Sequence, residues 1–338
     1  MRSRGSSEGI TEAGLCYASL CNMNFVAPQD NNLVPIPVPV MKLGKFQASR
    51  MIVKESFALL RQDKEVMWFP FLAALSSLVL FVMIGLLYFF LVLKGDTTIF
   101  TALSTENDAQ VQSYFEHIAA GTNALSYGIL FLYYVLSFLV VNFFQAGIFI
   151  IAHARMNGED LNFMDGIRGA RNRFGKILAW SLISATVGMI LNVIENRSQF
   201  VGRIVAALLG ATWAILTFFS LPALVIGNAS VKDSFKESAS IIRKTWGETI
   251  IMNVGVGLFF ALLLVLGIIV FGVGVFLSAT LSVVIPLGVL LIVYMIVLAV
   301  VSSTLSAIFK LALYEYARTG QVPAGFSSQL IRQAMQKK

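Results

Sequence analysis

The stretch from Thr249 to Phe309 contains no aspartate, glutamate, lysine, arginine or histidine. A membrane-spanning helix needs about 20 apolar residues, so this stretch is long enough for two consecutive crossings of a bilayer. Composition extends that conclusion to the whole chain. Of its 338 residues 57% are apolar and only 13% are charged, whereas an ordinary soluble domain has about 25% charged residues. We therefore expect an all-α, polytopic membrane protein.

Hydropathy predicts six transmembrane helices in a single domain that covers residues 41–338. Their expected ranges are about 67–93, 124–151, 177–194, 200–226, 249–275 and 281–311. The third is the shortest and the most polar of the six. The charge distribution nevertheless supports it, because an odd number of spans would place the later basic loops on the wrong side of the membrane.

The first 40 residues differ from the rest of the chain. They mix serine, glycine and asparagine, and they end in alternating prolines from Pro35 to Pro39, which favour an extended conformation. We predict a disordered tail or an upstream extension, with Met41 as the natural start. Cys16 and Cys21 lie in this segment without a histidine or a further cysteine nearby, and we expect free thiols.

Basic residues are concentrated in alternate loops. On one side are Lys42, Lys45, Arg50, Lys54, Arg61 and Lys64 before the first span, Arg155, Arg168, Arg171, Arg173 and Lys176 after the second, Lys232, Lys236, Arg243 and Lys244 after the fourth, and Lys310, Arg318, Arg332, Lys337 and Lys338 at the end. The opposite side has only Lys94, Arg197 and Arg203. The positive-inside rule therefore predicts a protein of the cell (inner) membrane with both termini in the cytoplasm.

Three basic segments combine these cations with apolar residues at helical spacing. They are Phe46–Lys64, Asn162–Lys176 and Ser230–Glu248. The expected apolar faces are Phe46, Val53, Phe57 and Leu60; Phe163, Ile167, Ala170, Phe174 and Ile177; and Val231, Phe235, Ala239, Ile242 and Trp246. Asn162 with Asp165, and Ser230 with Asp233, resemble helix-capping boxes. Such helices lie in the membrane–water interface. The cations expected to contact lipid head groups are Lys54, Arg61, Arg168, Arg171, Arg173, Lys232, Lys236, Arg243 and Lys244.

Two of these segments also match as text. Lys54–Arg61 reads KESFALLR and Lys236–Arg243 reads KESASIIR. One interpretation is a threefold repeat of a cytoplasmic amphipathic helix followed by a helical hairpin. The alternative is that any helix beside a membrane drifts towards this composition, and the textual match favours the repeat.

Catalytic signatures are absent. The two histidines, His117 and His153, fall on opposite sides of the predicted membrane, and no metal-binding, nucleophile-elbow or nucleotide-binding pattern occurs. We therefore expect a protein that is not an enzyme and that has no cofactor or metal. No ionisable residue lies in the middle of a predicted span, which argues against a proton-coupled pump.

Two sets of uncharged residues within the spans are candidates for packing or transport. The first set consists of the amides Asn142, Gln145, Asn192 and Asn253, which either line a polar path or form hydrogen bonds between helices. The second set is a stripe of small residues, Gly202, Ala206, Gly210 and Ala214, whose spacing of four allows two helices to approach closely. We interpret this stripe as a helix–helix contact.

Several segments resemble an uncharacterised family of prokaryotic six-span membrane proteins. They are Leu59–Glu65, Phe69–Pro70, Trp180–Thr186, Gly202–Val205, Ser238–Glu248, Tyr314–Ala317 and Gly320–Phe326. The resemblance spans about 42–326 and implies a cell-membrane protein, but it implies no activity. More loosely, the alternation of interfacial helix and hairpin is similar to the membrane domain fused to some glycerophosphodiester phosphodiesterases.

The sequence favours a non-enzymatic membrane protein that organises lipid or a partner complex through its basic helices. Its expected partners are membrane lipids, preferentially anionic ones, and a second copy or another membrane protein is a further candidate. Nucleic acid is not expected, because the positive charge follows the topology of the chain. The alternative is a permease or channel for a small uncharged or zwitterionic solute.

Overall fold

The structure is a computed structural model that describes residues 45–94, 112, 124–197, 201–245, 248–277 and 280–335. Within these residues the secondary structure is helical and no strand occurs. The helices are α1 (Lys45–Gln62), a 3-10 turn (Lys64–Met67), α2 (Trp68–Leu91), α3 (Ala124–Met156), α4 (Phe163–Asn172), α5 (Phe174–Arg197), α6 (Val201–Leu216), α7 (Ser220–Val225), α8 (Val231–Thr245), α9 (Glu248–Leu277), α10 (Leu281–Thr319) and α11 (Ser328–Met335).

Six of these stretches are long and apolar enough to cross a membrane, as predicted. They are Lys64–Leu91, Ala124–Met156, Phe174–Glu195, Val201–Val225, Gly257–Leu277 and Ser282–Thr319. The polar third span is among them. The sixth helix continues well past its predicted end at residue 311, because Leu311 and Leu313 are fully buried and hold it in the core. It ends at Thr319, where Gly320 adopts the left-handed conformation that terminates helices.

The fourth span is interrupted, which the sequence analysis did not predict. α6 ends at Leu216 and α7 begins at Ser220, with a turn over residues 217–219 between them. Pro222 explains the interruption, because it has no N–H to donate to the carbonyl of Phe218 and its ring crowds the preceding turn. The side chain of Ser238 on α8 accepts a hydrogen bond from the backbone N–H of Phe219 (2.9 Å) and so satisfies one donor that the interruption exposes.

The helices pack as three hairpins in chain order: α2 with α3, α5 with α6, and α9 with α10. Each basic helix packs against one of these hairpins. α4 contacts α3, α8 contacts α6 and α7, and α1 contacts α9 and α10. α4 and α8 follow the hairpins on which they pack, whereas α1 precedes all three hairpins and packs on the last one.

The buried core lies at one end of the bundle, where the ends of all six spans meet α1, α4, α8 and α11. We call this the basic end. Its largest fully buried side chains include Phe69, Phe149, Phe219, Phe309 and Tyr314. Away from this end the spans expose apolar side chains such as Phe90, Val270 and Leu290. That surface suits a lipid environment, because lipid tails are as apolar as the side chains they would contact.

Phe69 fixes the start of the first span at the basic end. Its ring is fully buried and packs against the ring of Phe163, with 4.6 Å between centroids. Two glycines make room for it: a Cβ atom on Gly147 would lie 2.2 Å from Cε1 of Phe69, and a Cβ atom on Gly166 would lie 2.7 Å from its Cζ. α2, α3 and α4 therefore meet at a single aromatic side chain.

Candidate lipid-binding surface at the basic end

The three basic helices are packed on the bundle along faces that differ from the predicted ones. On α1 the buried positions are Ile52, Ser56, Leu59 and Leu60, whereas Val53 is half-buried and Phe57 is 36% exposed. The face that α1 buries against the bundle thus shares Leu60 with the predicted apolar face but otherwise lies one residue earlier, and the side chain of Phe46 lies outside the described residues. The predicted face followed the largest apolar side chains, but the helix buries a serine in close contact with its neighbours instead.

On α8, too, the buried face differs from the predicted apolar face. Its buried positions are Ser234, Ser238, Ile241 and Ile242, while Val231, Phe235 and Ala239 are half-buried. In the matching octapeptides Ser56 corresponds to Ser238, and the two leucines after it correspond to the two isoleucines. The position two residues before each octapeptide, Ile52 or Ser234, is buried as well. The buried positions of α1 and α8 thus coincide.

The glutamates of the two octapeptides also have similar roles. Glu55 accepts a hydrogen bond from the backbone N–H of Ser327 (3.1 Å), just before α11. Glu237 accepts one from the hydroxyl of Tyr314 on α10 (3.0 Å). Each carboxylate therefore joins its basic helix to the C-terminal part of the chain.

An aromatic stack also holds α8 against the third and fourth spans. Trp180 on α5 stacks on Trp213 on α6 with 6.1 Å between ring centroids, and Trp213 stacks on Phe235 on α8 at 5.9 Å. We expected Phe235 to belong to an apolar face that lies in the membrane–water interface. In the structure its ring instead anchors α8 to the bundle.

The second basic segment is not one helix, as had been expected for Asn162–Lys176. α4 ends at Asn172, Arg173 caps it in a non-helical conformation, and the third span begins at Phe174. The predicted capping box is confirmed, because the Asn162 side chain accepts from the Asp165 N–H (3.1 Å) and Asp165 accepts from the Asn162 N–H (3.2 Å). Of the five predicted apolar positions only Ala170 and Ile177 are fully buried.

The predicted capping residues of α8, Ser230 and Asp233, are also hydrogen-bonded to each other, but in a modified form of the capping box. The Ser230 hydroxyl accepts from the Asp233 N–H (3.2 Å) and donates to the Asp233 carboxylate (2.6 Å). α1 ends at Gln62, two residues before the predicted end at Lys64, and α8 is described as far as Thr245. Trp246 of the third predicted face lies outside the described residues.

Most of the predicted head-group cations are exposed at the basic end. The exposed ones are Lys54, Arg61, Arg168, Arg171, Lys232, Lys236 and Arg243. Arg168 pairs with Asp165 (2.8 Å), and the Arg61 guanidinium lies 4.8 Å from the centroid of the Phe57 ring. Arg173 is half-buried and donates to the carbonyl of Gly169 (3.4 Å), so it is less available than the others. The side chain of Lys244 lies outside the described residues.

An ion pair of Arg155 joins two separate parts of the basic end. Arg155, at the end of α3, donates to both carboxylate oxygens of Asp63 at 2.6 Å and also contacts Asp160 at 2.5 Å. Glu65 accepts from the backbone N–H of Phe163 (3.0 Å), and so ties the start of the first span to α4. The contacts of Asp63 and Glu65 join residues more than 90 positions apart, and sequence reasoning did not find them because no local pattern pairs such distant groups.

His153 also lies at the basic end, as predicted from topology. Its Nδ1 atom is 3.0 Å from Oε1 of Glu315 on α10, so it contacts a carboxylate within the protein. His117 lies outside the described residues. Among the residues that the structure describes, no group of three histidine, cysteine, aspartate or glutamate side chains is placed to hold a metal ion.

The candidate polar residues of the spans are dispersed. Asn142 on α3 is buried and donates a hydrogen bond to the hydroxyl of Ser181 on α5 (3.0 Å). Gln145 and Asn192 are half-buried, and the side chain of Asn253 lies outside the described part of the chain. In the small-residue stripe Gly202 and Ala206 are buried and Gly210 is half-buried, whereas Ala214 is exposed. Burial therefore decreases along the stripe, and Ala214 is its one exposed member.

Six apolar helices with an apolar exterior and a basic end define the class of this protein: it is a multi-pass α-helical membrane protein. Residues 124–326 match the model of a family of unknown function, DUF6159. Since this match covers more than half of the 338 residues, the chain belongs to that family. Of the segments that carried the resemblance, those before residue 124 lie outside the match. No curated protein and no solved structure matches the chain.

Proposed function

We propose that this protein is a non-enzymatic component of the cell membrane that organises anionic lipid, or a complex assembled on such lipid, through its basic end. The observation that carries the proposal is the arrangement of α1, α4 and α8. Each of these helices buries apolar side chains against the bundle, while most of the predicted head-group cations remain exposed at one end of it. Each such cation near an anionic bilayer surface contributes about 1 kcal/mol to binding.

In this proposal the basic end faces the cytoplasm and both termini are cytoplasmic, since basic loops are retained on that side. The three hairpins, each with a basic helix packed on its inner end, form a threefold repeat. Two observations support the repeat: the buried positions of the matching octapeptides in α1 and α8 coincide, and each basic helix packs on one hairpin.

We do not propose a permease or channel, because one of the four amides expected to line a polar path is used in helix packing. The Asn142 amide is committed to Ser181, which is the interhelical contact that the alternative interpretation of the amides predicts. Transport by the purified protein in vesicles would nonetheless decide the matter directly, and measurable solute flux above that of protein-free vesicles would contradict the proposal.

The lipid preference can be tested with two matched double variants of the full chain. In Lys236→Gln/Arg243→Gln, two exposed cations of α8 are lost at the basic end, and in Lys94→Gln/Arg203→Gln two exposed cations are lost elsewhere. Native mass spectrometry counts the phosphatidylglycerol molecules retained from micelles that also contain phosphatidylcholine. We expect fewer retained anionic lipids for the first variant only. Equal lipid counts for the two variants would rule out the basic end as the binding surface.

A further inference from the structure

Lys310 differs from the other cations of the basic end in its depth, because the others within spans lie at or near a span end and Lys310 lies well inside the sixth span. It is half-buried on α10, nine residues before the helix ends at Thr319, and the residues beside it, Phe309 and Leu311, are fully buried. From the sequence, we expected Lys310 to be one of the basic residues that follow the sixth span. The longer helix places it instead one turn further into the bundle than Tyr314.

Among the described residues, the ammonium of Lys310 has an aromatic neighbour but no carboxylate partner. Its Nζ atom lies 4.8 Å from the centroid of the Phe218 ring, which is a cation–π contact. Within the described part of the chain, no carboxylate oxygen lies within 4.0 Å of it. Lys176 provides a contrast, because its Nζ donates at 2.7 Å to both the carbonyl and the side-chain oxygen of Asn228.

The site lies where the fourth span is interrupted. Phe218 belongs to the turn between α6 and α7, and Pro222 leaves the carbonyl of Phe218 without its usual helical donor. One turn along α10 from Lys310, Tyr314 bonds to Glu237 of α8. Lys310 is thus about 6 Å along the helix axis from a residue that contacts the basic helix itself. Given the proposed orientation of the basic end, the long lysine side chain can extend its ammonium from the span towards the phosphate groups of that leaflet.

We propose that Lys310, with the ring of Phe218 beside it, binds the phosphate group of one anionic phospholipid between the turn of the fourth span and α10. A positive charge within a span is costly unless it is paired. The phosphate of an anionic lipid is a charged acceptor that can pair with the ammonium, and charge-assisted hydrogen bonds are stronger than those to neutral acceptors. The site deepens the proposed function, since it places the lipid in the same leaflet that α1, α4 and α8 cover.

Native mass spectrometry of the full chain in detergent tests this site, with phosphatidylglycerol as the probe and phosphatidylcholine as the comparison. We expect Lys310→Gln to weaken the first, tightest phosphatidylglycerol about fivefold, and Lys310→Arg to retain it. Lys176→Gln is the matched control and should leave that lipid bound, because its ammonium is already satisfied by Asn228. Unchanged binding of the first lipid by Lys310→Gln would overturn the proposal.

A second measurement uses the unmutated protein and does not depend on the folding of any variant. Acetylation of lysine amines, read for the peptide that contains Lys310, should be slowed by phosphatidylglycerol and not by phosphatidylcholine. The same reaction in millimolar inorganic phosphate identifies the source of the anion. If inorganic phosphate protects Lys310 as well as the lipid does, the site takes a soluble anion and the lipid assignment is overturned. Equal labelling in all conditions overturns the site altogether.

The two lipid proposals fail separately. The α8 variant Lys236→Gln/Arg243→Gln should lower the number of lipids bound after the first and leave the first in place. Lys310→Gln should show the reverse. If the α8 variant loses no lipid while Lys310→Gln loses one, the broad surface is refuted and the single site stands.

Discussion

Replacing Gly147 with alanine adds one methyl group at the most crowded contact of the basic end. A Cβ atom there would lie 2.2, 2.7 and 2.9 Å from three ring atoms of Phe69, well inside the distance at which real Cβ atoms make contacts. The ring has no free direction of movement, because it is fully buried, packs against Phe163 and faces Gly166 on another side. Overpacking of this kind costs about 1–3 kcal/mol.

Alanine also favours the helix by about 1 kcal/mol relative to glycine, and that gain must be separated from the clash. Gly128 is the matched control, because it lies on the same helix and a Cβ atom there would meet nothing within 4 Å. Thermal unfolding in detergent should therefore show Gly128→Ala equal to or above wild type. Gly147→Ala should lie about 1–3 kcal/mol below Gly128→Ala.

A second substitution identifies the ring as the cause. Phe69→Ala alone should cost about 3–5 kcal/mol through the lost packing, but in that background Gly147→Ala should cost nothing further, since the methyl group occupies the vacated space. The reasoning is refuted if Gly147→Ala is as stable as Gly128→Ala. It is also refuted if the cost of the added methyl group is the same with and without the Phe69 ring.

Two further changes test other contacts of the bundle. Asn142→Leu should lower stability by about 1 kcal/mol, because it removes the bond to Ser181, and a stability equal to wild type would show that this bond contributes nothing. Arg155→Lys should cost about 1–3 kcal/mol by breaking the two-point contact with Asp63, whereas Arg168→Lys in an exposed pair should change stability by less than about 0.5 kcal/mol. Equal losses for the two arginine variants, measured by the same unfolding assay, would contradict this interpretation.

The parts of the fold that depend on local pattern could be predicted from the sequence. Hydropathy gives all six spans, because each needs a long apolar run of its own. The capping box at Asn162 is readable for a similar reason, since both of its hydrogen bonds join residues three apart. The clustering of the basic segments at one end also follows from counting an even number of spans between them.

The parts that depend on distant neighbours could not be predicted. Ser56 and Ser238 are buried because small side chains allow close packing, and an apolar-face argument places serine outside. The contact between Asp63 and Arg155 joins residues 92 positions apart. Pro222 is the one missed feature with a local signal, since a proline near the end of a predicted span is a reason to expect an interrupted helix.

The position of α1 shows how the two ends of the domain depend on each other. α1 precedes every span, yet its buried face packs against α9 and α10, and Glu55 holds the backbone of Ser327 just before α11. Its buried face therefore has no partner until the last hairpin is in place. α4 and α8, in contrast, pack on hairpins that come before them in the chain. We therefore expect folding of the basic end to be completed when α1 contacts the last hairpin. A substitution that disrupts either α1 or that hairpin should expose cationic and apolar surface of the other.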